Sequence, residues 1–176
     1  MTCTRLTDDQ FLSAVDELAD LLTDTVDGGA SIGFLAPLDR AAAVGWWRER
    51  ADALADGSLA VWAAYADGRI VGTVGLVLPD KPNSRHRAEV VKLMVHRQGR
   101  GRGLGRSLLA TAERAAAGMG VTLLHLDTET GSPAESLYAS AGWTRAGVIP
   151  DYASTPSGRL HPTTIFYKYV PDVRVG

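Results

Sequence analysis

The chain has 176 residues, is 45% hydrophobic and carries a formal net charge of −2. That length fits one domain with a real core, and the small net charge sets up no global field toward nucleic acid or acidic membranes. The single cysteine, Cys3, excludes an internal disulfide and any cysteine-based metal cluster. The N-terminal stretch holds Asp8 and Asp9 and no long apolar run. Neither a signal peptide nor a membrane span is expected, and the composition suits a cytoplasmic protein.

Residues 2–6 are predicted as a short strand. Thr7-Asp8-Asp9-Gln10 is a capping-box pattern, in which the hydroxyl caps the helix and Gln10 reaches back. Phe11, Val15, Leu18, Leu22 and Val26 then recur at helical spacing, and Gly28-Gly29 closes the helix. A loop of small residues over 28–37 carries Phe34. A second helix is predicted over 38–54, with Trp46 and Trp47 in its middle and Asp56-Gly57 as its stop. Adjacent helical residues point different ways, so one tryptophan is core and the other is free for another role. Asp39 and Arg40 read as helix-start charge and solvated surface. Residues 59–65 and 70–78 are strands joined by Asp67-Gly68, a good hairpin turn. A polar loop over 79–87 leads to a strand over 89–95.

Residues 95–106, Val95-His96-Arg97-Gln98-Gly99-Arg100-Gly101-Arg102-Gly103-Leu104-Gly105-Arg106, make a glycine- and arginine-rich turn between that strand and a helical pattern. Gly101, Gly103 and Gly105 allow a tight bend and a close ligand approach. The N–H groups of a first helical turn have no partner inside the helix, and aimed at one point they bind anions, usually phosphate. Arg100, Arg102 and Arg106 add positive charge. A nucleoside-triphosphate loop needs Lys and then Ser or Thr after its last glycine, where Arg106-Ser107 stands. The alternate glycines do not keep the Gly-x-Gly-x-x-Gly spacing of a dinucleotide fold. The apolar flanks, 90–95 and Leu108-Leu109, argue against a disordered nucleic-acid-binding segment. A solvated turn with scattered charge is the plain alternative.

Leu104, Leu108, Ala112, Ala115 and Met119 form one stripe of the following helix, which ends at 118–120. A strand over 121–127, a loop over 129–133, a short helix over 134–141 and a strand over 143–148 follow. Residues 151–162 read as a long polar loop, and 163–170 as the closing strand. The sum is a mixed α/β sheet of six or seven strands with helices on both faces, as a single domain over 1–176. The unit over 90–127 is a right-handed crossover and is expected to be parallel. Asp127 ends its strand in phase with Val121, Leu123 and His125; Glu89 opens its own in phase with Val91, Leu93 and Val95. An acid on the apolar face of a strand is costly unless paired or partly wet, which marks both as candidate proton acceptors. The plainer readings are a strand-end cap for Asp127 and a surface ion pair with Arg85, Arg87 or Lys92 for Glu89.

Arg100-Gly101-Arg102-Gly103-Leu104-Gly105 has the Arg-x-x-Gly-x-Gly form and resembles the pyrophosphate loop of GNAT-type N-acetyltransferases. Leu137-Tyr138-Ala139-Ser140-Ala141-Gly142-Trp143 strengthens the match. Within that family the chain looks most like the tabtoxin-resistance branch. The matching stretches include Gly28-Gly29-Ala30-Ser31-Ile32-Gly33-Phe34, Lys92-Leu93-Met94-Val95, Leu124-His125-Leu126-Asp127-Thr128-Glu129 and Gly158-Arg159-Leu160-His161-Pro162-Thr163. The resemblance runs from near residue 28 to near residue 168. It implies a largely antiparallel GNAT sheet, splayed between two central parallel strands. It also implies acetyl-CoA as co-substrate, no metal, and acetyl transfer to the amine of a small molecule. The branch implies an antibiotic or toxin such as tabtoxinine-β-lactam, with resistance as the outcome. A kasugamycin-like aminoglycoside and a metabolite amine are rivals. A non-enzymatic acyl-CoA sensor and a protein N-terminal or lysine acetyltransferase are the readings of other classes. No nucleic-acid or membrane partner is expected, and a homodimer is left open.

Acyl transfer to an amine needs a proton acceptor, a polarised carbonyl and a donor for the leaving thiolate. The resemblance assigns the first role to Glu89 and Asp127. It assigns the last to Tyr138, which by itself reads as a core aromatic. It gives the strand edge at Leu93, Met94 and Val95 to the cofactor, whose arm lies in the splay after Asp127, and the turn from Arg100 to Arg106 to its pyrophosphate. Two departures stand out: Gly99 replaces a bulky residue, and Gly131-Ser132-Pro133 replaces an asparagine. The first helical pair is expected to overhang the acceptor, with Phe34 and Trp47 as candidate contacts, joined by Tyr152 and His161 from the late polar loop. His125 reads as a satisfied core histidine and His96 as structural; no His or Cys spacing suggests a metal. A direct attack without an acetyl-cysteine step is expected, since Cys3 lies at the terminus.

Overall fold

In the computed structural model, which describes residues 2–171, the chain opens with β1 (Thr2–Arg5) and α1 (Asp8–Asp27). It continues through α2 (Arg40–Arg48), α3 (Ala51–Ala55), β2 (Leu59–Ala66), β3 (Arg69–Val77) and β4 (Arg87–Val95). Then come α4 (Leu104–Gly118), β5 (Leu123–Glu129), α5 (Pro133–Ser140), β6 (Thr144–Ser154) and β7 (Leu160–Tyr169). Met1 and residues 172–176 of the expected domain lie outside the described residues. The strands form one sheet in the order β1-β2-β3-β4-β5-β7-β6. Every neighbouring pair is antiparallel except β4 and β5, the two ends of the expected crossover.

Local chemistry sets most boundaries. Thr7 caps α1, accepting from the Gln10 N–H while the Gln10 side chain accepts from the Thr7 N–H. The Asp39 side chain caps α2 by accepting from the Ala42 N–H at 3.1 Å. The single helix expected over 38–54 is instead broken in two. The Arg50 N–H bonds back to Trp47 O, one residue short of the α-helical step, and Arg50 sits at φ −97°, ψ 0°. Its guanidinium folds onto the Trp46 carbonyl, which rewards the break.

The polar loop expected over 151–162 is mostly strand. β6 runs on to Ser154 and β7 begins at Leu160, leaving a short turn closed by Thr155 N–H to Arg159 O at 2.8 Å. A bulge between Ile149 and Ala153, with Asp151 at φ +48°, takes up Pro150 on this edge strand. An edge is where a sheet tolerates proline.

The period of two along the strands divides the core into two layers. Ala60, Trp62, Ala64, Val74, Leu76, Leu124, Leu126 and Phe166 face α4 and α5, packing on Leu108, Leu109 and Ala112. Val61, Ala63 and Ile70 face the other way, onto Phe11, Leu18 and Leu22 of α1 and Trp47 of α2. β4 changes sides partway. Ala88 and Val90 face the α4 layer, yet farther along Leu93 and Val95 do so, while Met94 faces α1. The switch occurs at Lys92, whose backbone is left-handed at φ +49°, where the β3 register also shifts between Thr73 and Gly75. This is a β-bulge, and one extra residue inverts the alternation beyond it. The expected phase of Glu89 with Leu93 and Val95 is therefore corrected: Glu89 shares its face with Val91, and the other two point to the opposite side.

A polar cluster ties α4 and β7 to the end of α5. Glu113 accepts from Trp143 Nε1 and from Lys168 Nζ, both at 2.8 Å, and Lys168 also donates to Ala141 O at 2.8 Å. Removing the carboxylate strands a half-buried ammonium and an indole N–H. Glu113→Ala is expected to lower the unfolding free energy by about 2 kcal/mol. Urea denaturation followed by tryptophan fluorescence measures it, and an unchanged midpoint would show that the cluster is incidental.

Candidate active site

The sheet parts at its centre. β4 and β5 pair only from Arg87–Leu123 to Glu89–His125, so the split opens before Asp127. Beyond it, the β5-facing edge of β4 runs unpaired from Glu89 to the turn that enters α4. Backbone donors and acceptors left free along an edge recruit another extended chain.

At the far end of that edge, His96 accepts from the Gln98 N–H, and residues Arg97–Gly99 make one 3₁₀ turn. Gly101 and Gly103 then adopt φ +76°, and an added Cβ at either would meet nothing within 4 Å. That space lies open at the start of α4. No side chain caps α4, whose first internal bond is Ser107 N–H to Gly103 O at 3.1 Å. The first-turn amides thus point out of the helix together, an anion-binding arrangement. Of the three expected arginines, Arg100 donates to Val95 O at 3.1 Å and Arg106 binds Ser140 on α5. Arg102 is exposed. Gly105 serves packing as well, since a Cβ there would lie 3.3 Å from Leu137 Cδ2.

The turn is held from outside by a residue that sequence patterning did not single out. Asp24, near the end of α1 and with its side chain only 10% exposed, accepts from the Arg97 backbone N–H at 3.0 Å and from Arg97 Nε. His96 Nε2 lies 3.4 Å from the same carboxylate.

At the near end of the split, Glu89 sits beside His125 in register, and Asp127 follows on the same face. The expectation that both acids lie on an apolar face is corrected. Leu124 and Leu126 are the buried set of β5, Asp127 is exposed and Glu89 is half-buried. Neither acid makes an ion pair among the described residues, so Glu89 is not bridged to Arg85, Arg87 or Lys92. Arg87 Nη1 approaches His125 Nε2 at 2.9 Å. Because guanidinium only donates, that ring nitrogen accepts. Burial holds His125 below its usual pKa; Glu89 opposes and Arg87 adds to the shift.

The bulge turns Lys92 into this face. Its Nζ donates to Ile32 O at 2.9 Å and lies 5.2 Å from the Trp46 ring and 5.7 Å from Phe34. Burial lowers the Lys92 pKa and nearby Arg50 lowers it further, while Asp127 and Glu89 pull it back up. The only sequence signal was one charged residue inside the apolar run from Val90 to Val95. Arg50 stacks on Trp46, its Cζ 3.3 Å from the ring centroid. A cavity of about 280 Å³ opens here, lined among others by Trp46, Trp47, Arg50, Val77, Val91 and Lys92.

Of the expected acceptor contacts, Trp47 lines that cavity, although it is 2% exposed and packs edge-on against Phe11. Trp46, packed on Phe34 at 5.3 Å, is the more accessible of the pair. Phe34 borders Trp46 and Lys92 without lining the cavity. Tyr152 and His161 are not brought to it; Tyr152 is 53% exposed and His161 Nδ1 lies 3.4 Å from Glu129. The α1–α2 loop does meet the β6–β7 turn, through Ala36 N–H to Pro156 O at 2.8 Å and Ser31 Oγ to Ser154 O at 3.3 Å. Tyr138 on α5 is 6% exposed, packed against Trp143 and Phe166. Burial, reinforced by Asp127, raises its pKa well above the usual phenol value.

A sequence model of the acetyltransferase (GNAT) family matches residues 29–143. The chain is 35% identical over 96 residues to N-acetyltransferase 8 of Rattus norvegicus, a stretch covering 53% of this chain and 43% of that protein. It spans about half the length of the curated relatives it matches. Among solved structures it resembles the ribosomal-protein-alanine N-acetyltransferase of Brucella melitensis, with a TM-score of 0.76, 22% identity, and coverage of 97% of this chain and 100% of that one. It also resembles a Salmonella typhimurium protein solved with its cofactor acetyl-CoA, with a TM-score of 0.76, 20% identity, and coverage of 97% and 95%. These last two likenesses are of fold.

Asp24→Ala removes the tie between α1 and the turn. Amide hydrogen exchange at residues 97–101 is expected to rise by roughly tenfold or more, with the centre of α1 unchanged. Equal protection in the variant would mean the turn is rigid by itself.

Proposed function

This chain belongs to the acetyltransferase (GNAT) family, and on that premise we propose that it transfers an acetyl group from acetyl-CoA to the amine of a small molecule. The supporting observation is the unpaired edge of β4, which begins at Glu89 and ends at the amide-lined turn before α4. Its backbone at Leu93, Met94 and Val95 would hold the pantetheine arm. The amides and side chains from Arg100 to Arg106 would hold the pyrophosphate. The open space at Gly101 and Gly103 fits that group. Acetyl-CoA supplies an acetyl thioester activated toward amines.

The chain's own residues supply the rest. Glu89 and Asp127, on one face at the mouth of the split, take the proton of the acceptor amine, directly or through water. The first-turn amides of α4 neutralise phosphate charge and so fix the register of the cofactor along β4. Burial keeps Tyr138 protonated, so it carries the proton that the leaving thiolate needs, although the raised pKa makes it a weak acid whose donation depends on close approach to the sulfur. Cys3 is no nucleophile for a covalent route, because burial pushes its thiol pKa up. Attack is therefore direct, within a ternary complex.

A cavity of about 280 Å³, with the α1–α2 loop joined to the β6–β7 turn, favours a small acceptor over a protein terminus or lysine. We place the acceptor among amine-bearing antibiotics or toxins, with tabtoxinine-β-lactam the nearest named example and resistance the outcome. The enzyme is assigned to the cytoplasm as one domain. No described helix is long and apolar enough to cross a membrane.

Release of free thiol from acetyl-CoA against an amine panel tests this. Glu89→Gln with Asp127→Asn is expected to lower kcat/KM by roughly 10²- to 10⁴-fold. An unchanged kcat/KM rejects the assignment, and tight acetyl-CoA binding with no turnover of any amine favours an acyl-CoA sensor. Tyr138→Phe is expected to lower kcat about 10²-fold with little change in KM, whereas Cys3→Ser leaves both unaltered.

A further inference from the structure

The cavity beside the split has walls of unequal character. Trp46, Trp47, Val77 and Val91 make it largely apolar, yet Arg50 and Lys92 line it as well. Both cations lie within 5.2 Å of the Trp46 ring centroid, on guanidinium carbon and ammonium nitrogen. Burial lowers the pKa of both cations, and the Arg50 charge lowers that of Lys92 further. Their available counter-charges are poorly placed. Glu49 Oε2 is 4.0 Å from Arg50 Nη1 on a side chain that is 77% exposed, so water screens it. The remaining hydrogen bonds of both cations go to neutral carbonyls, Trp46 O and Ile32 O. Lys92 also feels Glu89 and Asp127, but an incoming ammonium would engage those two acids and leave Lys92 without them. The site is thus polarised, negative at the sheet split and positive under Trp46.

We propose that the acceptor carries an anionic group as well as its amine, on a small apolar body, and that Arg50 and Lys92 hold the anion while Glu89 and Asp127 face the amine. A carboxylate is the anion argued for, since it accepts paired donors from guanidinium and a further one from ammonium. Free amino acids with apolar side chains and amino-acid-like compounds have this form; polycationic aminoglycosides do not. The inference rests on the reading of this face as the acceptor site, and it specifies the substrate class for that reading.

The test separates binding from turnover. Tryptophan fluorescence of the full chain, with Trp46 and Trp47 as reporters, is titrated with 4-methylpentanoate and with its amide, neither of which has an amine to acetylate. The acid is expected to bind about tenfold tighter than the amide or better. Arg50→Gln should remove that difference, and Arg50→Lys should restore most of it. Equal binding of acid and amide, a preference that survives Arg50→Gln, or no binding of the acid overturns the proposal. In the presence of acetyl-CoA, leucine should then exceed leucinamide as an acceptor by a similar factor in kcat/KM. Acid-selective binding that depends on Arg50, with no turnover of any amine, would leave the anion site standing and reject the acetyltransferase reading instead.

Discussion

Lys92 sits in a backbone conformation that costs an L-residue about 1–2 kcal/mol, and much of the site follows from it. The extra residue there turns β4 over. Before it, Glu89 and Val91 face the α1–α3 side; after it, Leu93 and Val95 face α4. The same irregularity brings the ammonium onto the face that carries Glu89, where Ile32 O, Phe34 and Trp46 surround it. A regular strand would alternate unbroken from Glu89 to Val95, placing Leu93 and Val95 with Glu89 and sending Lys92 to the other side.

The split beside the bulge is held open by anchoring on both flanks. Toward the turn, Asp24 pins Arg97, and Arg100 ties back to Val95 O. Toward β5, the Glu113 cluster fixes Trp143 and Lys168, hence the end of α5 and the strand β7 that pairs with β5. Apart from the Arg100 tie, these contacts join elements far apart in the chain. An edge exposed by design must be kept apart by such ties, because bare strand edges otherwise close on any partner.

Charge is distributed along the site in a sequence that suits a two-substrate transfer. Oriented amides at the start of α4 favour phosphate. Two carboxylates stand at the other end of the β4 edge, and two cations lie beyond them against Trp46. Each group attracts charge of one sign, so the face offers separate regions to anions and to cations. The small overall charge of −2 conceals this local separation.

Much of this was legible in the residues. The capping box at Thr7 and the Asp67-Gly68 hairpin with its strands β2 and β3 are local devices, decided within a few residues, and they stand as expected. So does the bend of the glycine-rich turn between β4 and α4, where Gly101 and Gly103 take positive φ. What local pattern could not supply was any relation set by packing. The helix over 38–54 broke at Arg50, where no proline or glycine marks the break. The β6–β7 hairpin emerged from residues too polar to read as strand, since an edge strand with solvent on both sides needs no apolar alternation. The inversion at Lys92 was invisible because a lysine, not a glycine, adopts the left-handed turn. Sequence determined which chemistry was present, acids, amides and aromatics on known elements. Only the tertiary structure decided which of them share a face, since that depends on register between strands brought together by the fold.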